Sequence, residues 1–190
     1  MKSKKVIVSL LLTSAFILST ALPATAAKIS QDNSFTQANS DDILVRKVRE
    51  DVESGKIDYA TPLPAITPFI AQHAIYGNSG TQGNFSGLNS VGVYSGAFLS
   101  DGGDLQINSY AHRDTTSTSG TYYITPYKFS DWSAAYTDKK TTASYPSTST
   151  DSTYVYIWSG VGTGSYKALI NTGSGDSYTI SGHITVYAQN

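Results

Sequence analysis

Polar and apolar side chains alternate along Ser177-Tyr178-Thr179-Ile180-Ser181-Gly182-His183-Ile184-Thr185-Val186-Tyr187, and this stretch decides the fold class. The even positions form a mostly apolar face, whereas the odd positions carry Thr, Ser, His and Tyr. A period of two is typical of a β-strand that buries one face only. The pattern therefore predicts a half-buried strand, with Gly182 as a place where it can bend.

Residues 165–171 alternate in the same way, and the turn-forming residues 172–176 (Thr-Gly-Ser-Gly-Asp) separate them from the first stretch. These three segments predict a C-terminal hairpin. Further strands are predicted at 91–99, 104–111, 121–129 and 153–159, while the Ser/Thr-rich residues 141–153 with Pro146 predict a long surface loop. Short strands spaced in this way predict an all-β domain, an antiparallel β-sandwich or a barrel-like fold.

The first residues have the pattern of a secretory signal peptide. Lys2, Lys4 and Lys5 precede a long apolar run that ends at Pro23, and Ala24-Thr25-Ala26-Ala27 supplies small residues for cleavage after Ala26 or Ala27. A retained membrane helix is the alternative, but the cleavage pattern favours removal of residues 1–27. We therefore expect a secreted, extracellular protein without a stable transmembrane span. The chain has no cysteine, which excludes disulfides and a cysteine-linked lipid anchor.

Charged residues are concentrated in residues 28–60, which separate the signal peptide from the predicted β domain at 61–190. Within this segment Leu44, Val48 and Val52 recur at helical spacing, and we predict a helix over 41–54 that Ser40 caps and Gly55 ends. The segment is either a pro-region or a tether that docks on the domain. Pro62, Pro64 and Pro68 then indicate a linker or an edge strand.

From residue 61 onward the chain is nearly neutral and rich in tyrosine. It carries five basic residues (Arg113, Lys128, Lys139, Lys140, Lys167), seven aspartates (Asp101, Asp104, Asp114, Asp131, Asp138, Asp151, Asp176) and no glutamate. Without a basic field to attract phosphates, nucleic acid is an unfavourable partner.

Three histidines, His73, His112 and His183, are the available imidazoles for acid–base catalysis. None has the spacing of a zinc-binding motif, and no Gly-x-Ser-x-Gly motif is present. The sequence favours ordinary surface histidines and a protein that is not an enzyme, although a small hydrolase using His112 or His183 stays a third alternative.

Asp101, Asp104 and Asn108 form a candidate calcium site, because hard oxygen ligands at a tight Asp101-Gly102-Gly103-Asp104 turn suit that ion. The spacing is not that of an EF-hand, and a metal-free turn between two strands explains the same residues. No other cofactor is predicted.

The aromatic residues Tyr154, Tyr156 and Trp158 alternate with Val155 and Ile157 on one predicted strand. If the aliphatic face is buried, the three rings form an exposed row that binds sugars, cell-wall glycans or partner proteins. If the aromatic face is buried, no function follows from the row.

The sequence thus favours a secreted, non-enzymatic protein that binds or assembles at an extracellular surface through a glycan, the cell wall or a protein partner. The alternative is an antimicrobial or membrane-active protein, similar in kind to a toxin or bacteriocin, that is processed from a precursor. The oligomeric state is left open.

Overall fold

The computed structural model describes residues 35–63, 72–76, 83–114, 120–131, 135–148, 152–173 and 178–189. The predicted signal peptide lies outside these residues, as do Pro64, Pro68 and residues 174–176 of the predicted turn. In the described part of the chain, two β-sheets and one α-helix form the structure, which confirms the all-β prediction.

Sheet 1 has eight strands. Its main order is β1 (Thr36–Gln37), β6 (Val93–Tyr94), β13 (Thr163–Thr172), β9 (Gly120–Ser130), β11 (Thr142–Ser147) and β2 (Ile57–Tyr59). Two further strands extend it, since β7 (Phe98–Asp101) also pairs with β13 and β10 (Ala135–Lys139) also pairs with β9. The β2–β11 pair is parallel, and the other pairs of this sheet are antiparallel.

Sheet 2 has six strands and is antiparallel throughout. Its order is β3 (Thr61–Pro62), β12 (Tyr154–Trp158), β8 (Leu105–Arg113), β14 (Ile180–Gln189) and β4 (Gln72–Tyr76), with β5 (Gly83–Leu88) also paired to β14. The long strands β8 and β14 pair over nine residues, from Ile180 opposite Arg113 to Ala188 opposite Leu105.

One apolar cluster receives side chains from both sheets. Sheet 1 contributes Tyr122, Ile124, Tyr145, Tyr166 and Ile170, and sheet 2 contributes Leu105, Ile107, Ile180, Ile184 and Val186, all fully buried. Two buried tyrosine hydroxyls of this cluster have partners on the other sheet, which offsets their loss of water. Tyr122 donates to Ser109 Oγ (2.7 Å) and Tyr145 donates to the Ile107 carbonyl (2.9 Å).

The predicted C-terminal hairpin is wrong, although both of its strands exist. Strand β13 belongs to sheet 1 and β14 belongs to sheet 2, so the two do not pair. Their apolar faces meet in the shared core instead, because Tyr166 and Ile170 lie in the same cluster as Ile180 and Ile184. A hairpin and a crossing between two sheets require the same alternation, so the pattern did not distinguish them.

Two other segments also differ from expectation. The predicted surface loop at 141–153 contains β11, in which Ala143 and Tyr145 are fully buried and Thr142 hydrogen-bonds Thr125 (3.0 Å). The predicted strand at 91–99 is divided into β6 and β7 at Ser95, whose hydroxyl accepts a hydrogen bond from the Ala168 amide (2.9 Å).

Helix α1 (Ile43–Ser54) packs on the outer side of sheet 1. Asp42, and not the predicted Ser40, caps it by accepting from the Leu44 amide (2.9 Å), while Gly55 ends it in a left-handed conformation as predicted. Val45 and Val48 are fully buried, and the helix cluster includes Tyr127 and Leu169 of sheet 1. The part of the chain that the structure describes contains no helix that is long and apolar enough to cross a membrane.

The charged segment, residues 28–60, is part of sheet 1. Strand β1 pairs with β6 and β2 with β11, so residues before position 61 extend sheet 1 at both ends. Strand β3 follows and pairs with β12 in sheet 2. Side chains strengthen the contact, since Lys139 pairs with Asp51 and Tyr127 donates to the Leu44 carbonyl (3.1 Å).

Candidate binding surface

The outer face of sheet 2 is the surface that the fold leaves uncovered by the helix. Strands β8 and β14 form its centre, and burial alternates along both of them. On β14, Ile180, Ile184 and Val186 point into the core, as the alternation predicts. The residues between them therefore point outward, because successive side chains of a strand lie on opposite faces.

A row of three aromatic rings crosses this face. Tyr110 lies opposite His183 in the β8–β14 register, and their ring centroids are 5.5 Å apart. His112 lies two residues further along β8, with its ring centroid 6.0 Å from that of Tyr110. His112 is exposed, whereas Tyr110 and His183 are half-buried. The three rings thus form one continuous aromatic surface, of which His112 is the exposed part.

Amide and hydroxyl groups surround the rings. Asn84 of β5 lies opposite His183 on the side away from Tyr110 and is exposed. Asn108 and Thr185 form the next pair along the sheet. Asn108 accepts a hydrogen bond from Gln106 Nε2 (2.7 Å), which holds both amides against the sheet.

The far end of the face is more apolar. Gln106 of β8 lies between Ile157 of β12 on one side and Tyr187 of β14 on the other. Ile157 is 45% exposed. Val155 lies opposite Asn108 and is half-buried. From His112 to Gln106 the face is about 20 Å long, since an extended chain advances about 3.3 Å per residue.

None of the described outward-facing residues of β8, β12, β14 and β5 is an Asp, Glu, Lys or Arg. They are Gln106, Asn108, Tyr110, His112, Val155, Ile157, Ser181, His183, Thr185, Tyr187, Asn84 and Ser86. Arg113 lies on the side of β8 that faces the core, together with Ile107, Ser109 and Ala111, and its guanidinium lies 3.8 Å from the centre of the Tyr178 ring. The pKa of His183 is lowered below its ordinary value by burial, which favours the neutral imidazole.

The predicted aromatic row lies on the other side of the sheet. Trp158 is 5% exposed and donates to the Thr141 carbonyl (2.8 Å), and half-buried Tyr154 and Tyr156 pack against the core. Tyr156 also donates to Asp58 (2.6 Å). The aliphatic residues of the strand face outward instead. Of the two alternatives for this strand, the structure thus has the aromatic face inward.

The three candidate calcium ligands do not come together. Asp104 accepts from the Gly160 amide (3.2 Å) and thereby holds the turn after β12. Asn108 lies in the middle of β8, about 13 Å further along extended chain, and only the backbone of Asp101 is described, paired with Thr163. Among the described residues, no group of three His, Cys, Asp or Glu side chains could hold a metal ion.

The sheet brings two of the three candidate histidines to one surface. His112 and His183 flank Tyr110, while His73 lies in β4, where only its backbone is described. Ser181 lies opposite His112, but its hydroxyl accepts from the Gly87 amide (3.3 Å). The sequence reasoning missed Tyr110, although Asn108, Tyr110 and His112 alternate with Ile107, Ser109 and Ala111 and so share one face.

Two clefts lie on the helix side of the molecule. One, of ≈ 540 Å³, contains the Lys139–Asp51 ion pair and the neighbouring Lys56 and Asp58. The other, of ≈ 320 Å³, lies beside exposed Ile43 and contains Tyr94, Tyr136 and Lys167, where Lys167 Nζ is 5.2 Å from the Tyr136 ring centre. Neither cleft includes a residue of the ring row or of the predicted calcium site.

No protein-family model, curated protein or solved structure matches this chain.

Proposed function

We propose that this chain is a secreted, non-enzymatic β-sandwich protein that binds or assembles at an extracellular surface, whether through a glycan, the cell wall or a protein partner. The observation that carries the proposal is the neutral outer face of sheet 2 with its continuous row of His112, Tyr110 and His183. Aromatic rings with one polar end are enriched in binding surfaces, because they bury a large area and still form hydrogen bonds. The proposed binding residues thus move from the inward row of β12 to these three rings.

The asymmetry of the two sheets supports this choice of surface. Helix α1 covers Tyr127 and Leu169 on the outer side of sheet 1, and no described helix lies on the outer side of sheet 2. A β-sandwich that uses one outer face for binding needs that face to be open and rigid. Strands β8 and β14 meet the second requirement, because they pair over nine residues at the centre of the sheet.

Sedimentation with envelope particles from the secreting cells tests the proposal. We expect the wild-type protein to sediment with the particles and Tyr110→Ala to stay in solution. Tyr59→Ala is the matched control, since Tyr59 is 71% exposed on β2 of sheet 1 and has no part in the ring row. Equal sedimentation of wild type and Tyr110→Ala contradicts the proposal.

A second candidate function is a membrane-active or antimicrobial protein processed from a precursor. The observation that favours it is that α1 covers an apolar part of sheet 1, so that removal of residues 28–60 would uncover Tyr127 and Leu169. The intact mass of the secreted protein separates the two candidates. A mature N-terminus between positions 59 and 66 supports processing, and a terminus at Ala27 or Lys28 supports the first function.

A further inference from the structure

The outer face of sheet 2 also indicates what kind of ligand it binds. The inference rests on the proposed function, because it concerns the same surface. Between Gln106 and His112 the face offers aromatic rings, amides and hydroxyls, and its described residues include no Asp, Glu, Lys or Arg, so the imidazoles of His112 and His183 are its basic groups. A highly charged ligand would lose water there without a carboxylate, a lysine or an arginine to pair with, which is unfavourable.

Neutral sugars have the complementary chemistry. A pyranose ring has an apolar face of C–H groups and a rim of hydroxyl groups. Aromatic faces pack on such apolar surfaces, while the rim needs both donors and acceptors of hydrogen bonds. Tyr110 with its two flanking histidines supplies the rings, and Asn84 lies beside them at the exposed edge.

The dimensions favour a polymer over a single sugar. The rings lie at one end of the face and Ile157 and Tyr187 at the other, separated by Asn108 and Thr185. This length of about 20 Å exceeds one sugar ring and provides alternating apolar and hydrogen-bonding positions along the strands. We infer that the outer face of sheet 2 binds a chain of an uncharged polysaccharide, with Tyr110 stacked on one of its sugar rings.

Affinity electrophoresis and pull-down with defined polymers test this inference. The neutral probes are cellulose, xylan and amylose, and the charged probes are polygalacturonate and chitosan. We expect retention by at least one neutral polymer, no retention by the charged ones, and little change between low salt and about 0.5 M salt, because salt screens only charge-based binding. Retention by charged polymers alone, or loss of retention in salt, overturns the inference.

Variants then locate the binding surface. Tyr110→Ala should weaken binding to the retained polymer by at least about tenfold, and Tyr59→Ala should not change it. His112→Ala is a second variant, and we expect it to fold as the wild type does because the His112 side chain is exposed. It should weaken binding about three- to tenfold. If both variants bind as the wild type does, the inference is wrong.

The inference and the proposed function fail in different ways. If envelope particles bind the wild-type protein and not Tyr110→Ala, but no neutral polymer retains it, the ligand class is wrong and the proposed function stands. If neither the particles nor any polymer binds the wild-type protein, both are overturned.

Discussion

Gly182 and Ala111 face each other on β14 and β8 with no space for a side chain on the glycine. A Cβ atom at position 182 would lie 2.7 Å from both the Cα and the Cβ of Ala111, and it would also clash with the Tyr110 carbonyl. Both residues belong to β8, the strand that carries Tyr110 and His112. The close approach of the two strands at Gly182 thus sets the position of Tyr110 beside His183.

Replacing this glycine should loosen the centre of sheet 2. We expect Gly182→Ala to lower the free energy of unfolding by about 1–3 kcal/mol, because backbone atoms cannot move aside as the end of a flexible side chain can. Chemical denaturation measures it. Gly160→Asn is the control, since nothing lies within 4 Å of that position and Asn tolerates its left-handed conformation. Equal losses for the two variants would contradict this account.

The opposite faces of β12 should respond very differently to truncation. Trp158→Ala should cost about 3–5 kcal/mol of unfolding free energy, because it opens a cavity and leaves the Thr141 carbonyl without its donor. Ile157→Ala, at the adjacent and 45% exposed position, should cost less than about 1 kcal/mol. Thermal denaturation measured by circular dichroism compares both variants. Tryptophan fluorescence can also follow the unfolding of Ile157→Ala, which keeps Trp158. A Trp158 variant as stable as wild type would mean that the aromatic face is not buried.

Stability should fall as the pH falls below the ordinary pKa of histidine. Burial lowers the pKa of His183 in the folded state, whereas in the unfolded chain it titrates near 6.5. Above that pH both states are neutral and the group contributes nothing. Below it the unfolded state takes up a proton more readily than the folded state, so stability is lost until the pH reaches the folded pKa.

Melting temperatures between about pH 7.5 and pH 5 measure this loss. His183→Gln should remove part of the decline. His112→Gln is the matched control, since it replaces an exposed histidine of the same surface. An unchanged decline in His183→Gln would show that the loss has another origin.

Docking of α1 on sheet 1 should matter for folding of the whole chain. Val48 is fully buried in the helix cluster, so Val48→Asp should cost more than about 3 kcal/mol by placing a carboxylate in an apolar contact. Lys47→Ala, one residue earlier on the exposed side, should change stability by less than about 0.5 kcal/mol. Limited proteolysis and urea denaturation compare the two. If Val48→Asp unfolds at the wild-type urea concentration, the helix is only a tether.

The helix and the longest strands were predictable from local patterns. Alternation predicted β13 and β14 and the inward direction of Ile180, Ile184 and Val186, and helical spacing predicted α1 with its end at Gly55. Strand β11 was not predicted, because a Ser/Thr-rich stretch is typical of a surface loop. The sequence does not show that a hydroxyl such as that of Thr142 has a buried hydrogen-bond partner. The binding surface was missed for a related reason, since Tyr110 gains its meaning from His183 on another strand.

The sequence by itself determined the all-β class, helix α1 and the inward face of β14, because the period of the side chains is a local property of the backbone. The tertiary structure decided which strands pair, that β13 and β14 lie in different sheets, and that the aromatic side of β12 faces inward. Alternation states that one face is buried, but the partner that buries it is chosen by packing among strands distant in the chain. The ring row of His112, Tyr110 and His183 exists only after that choice has been made.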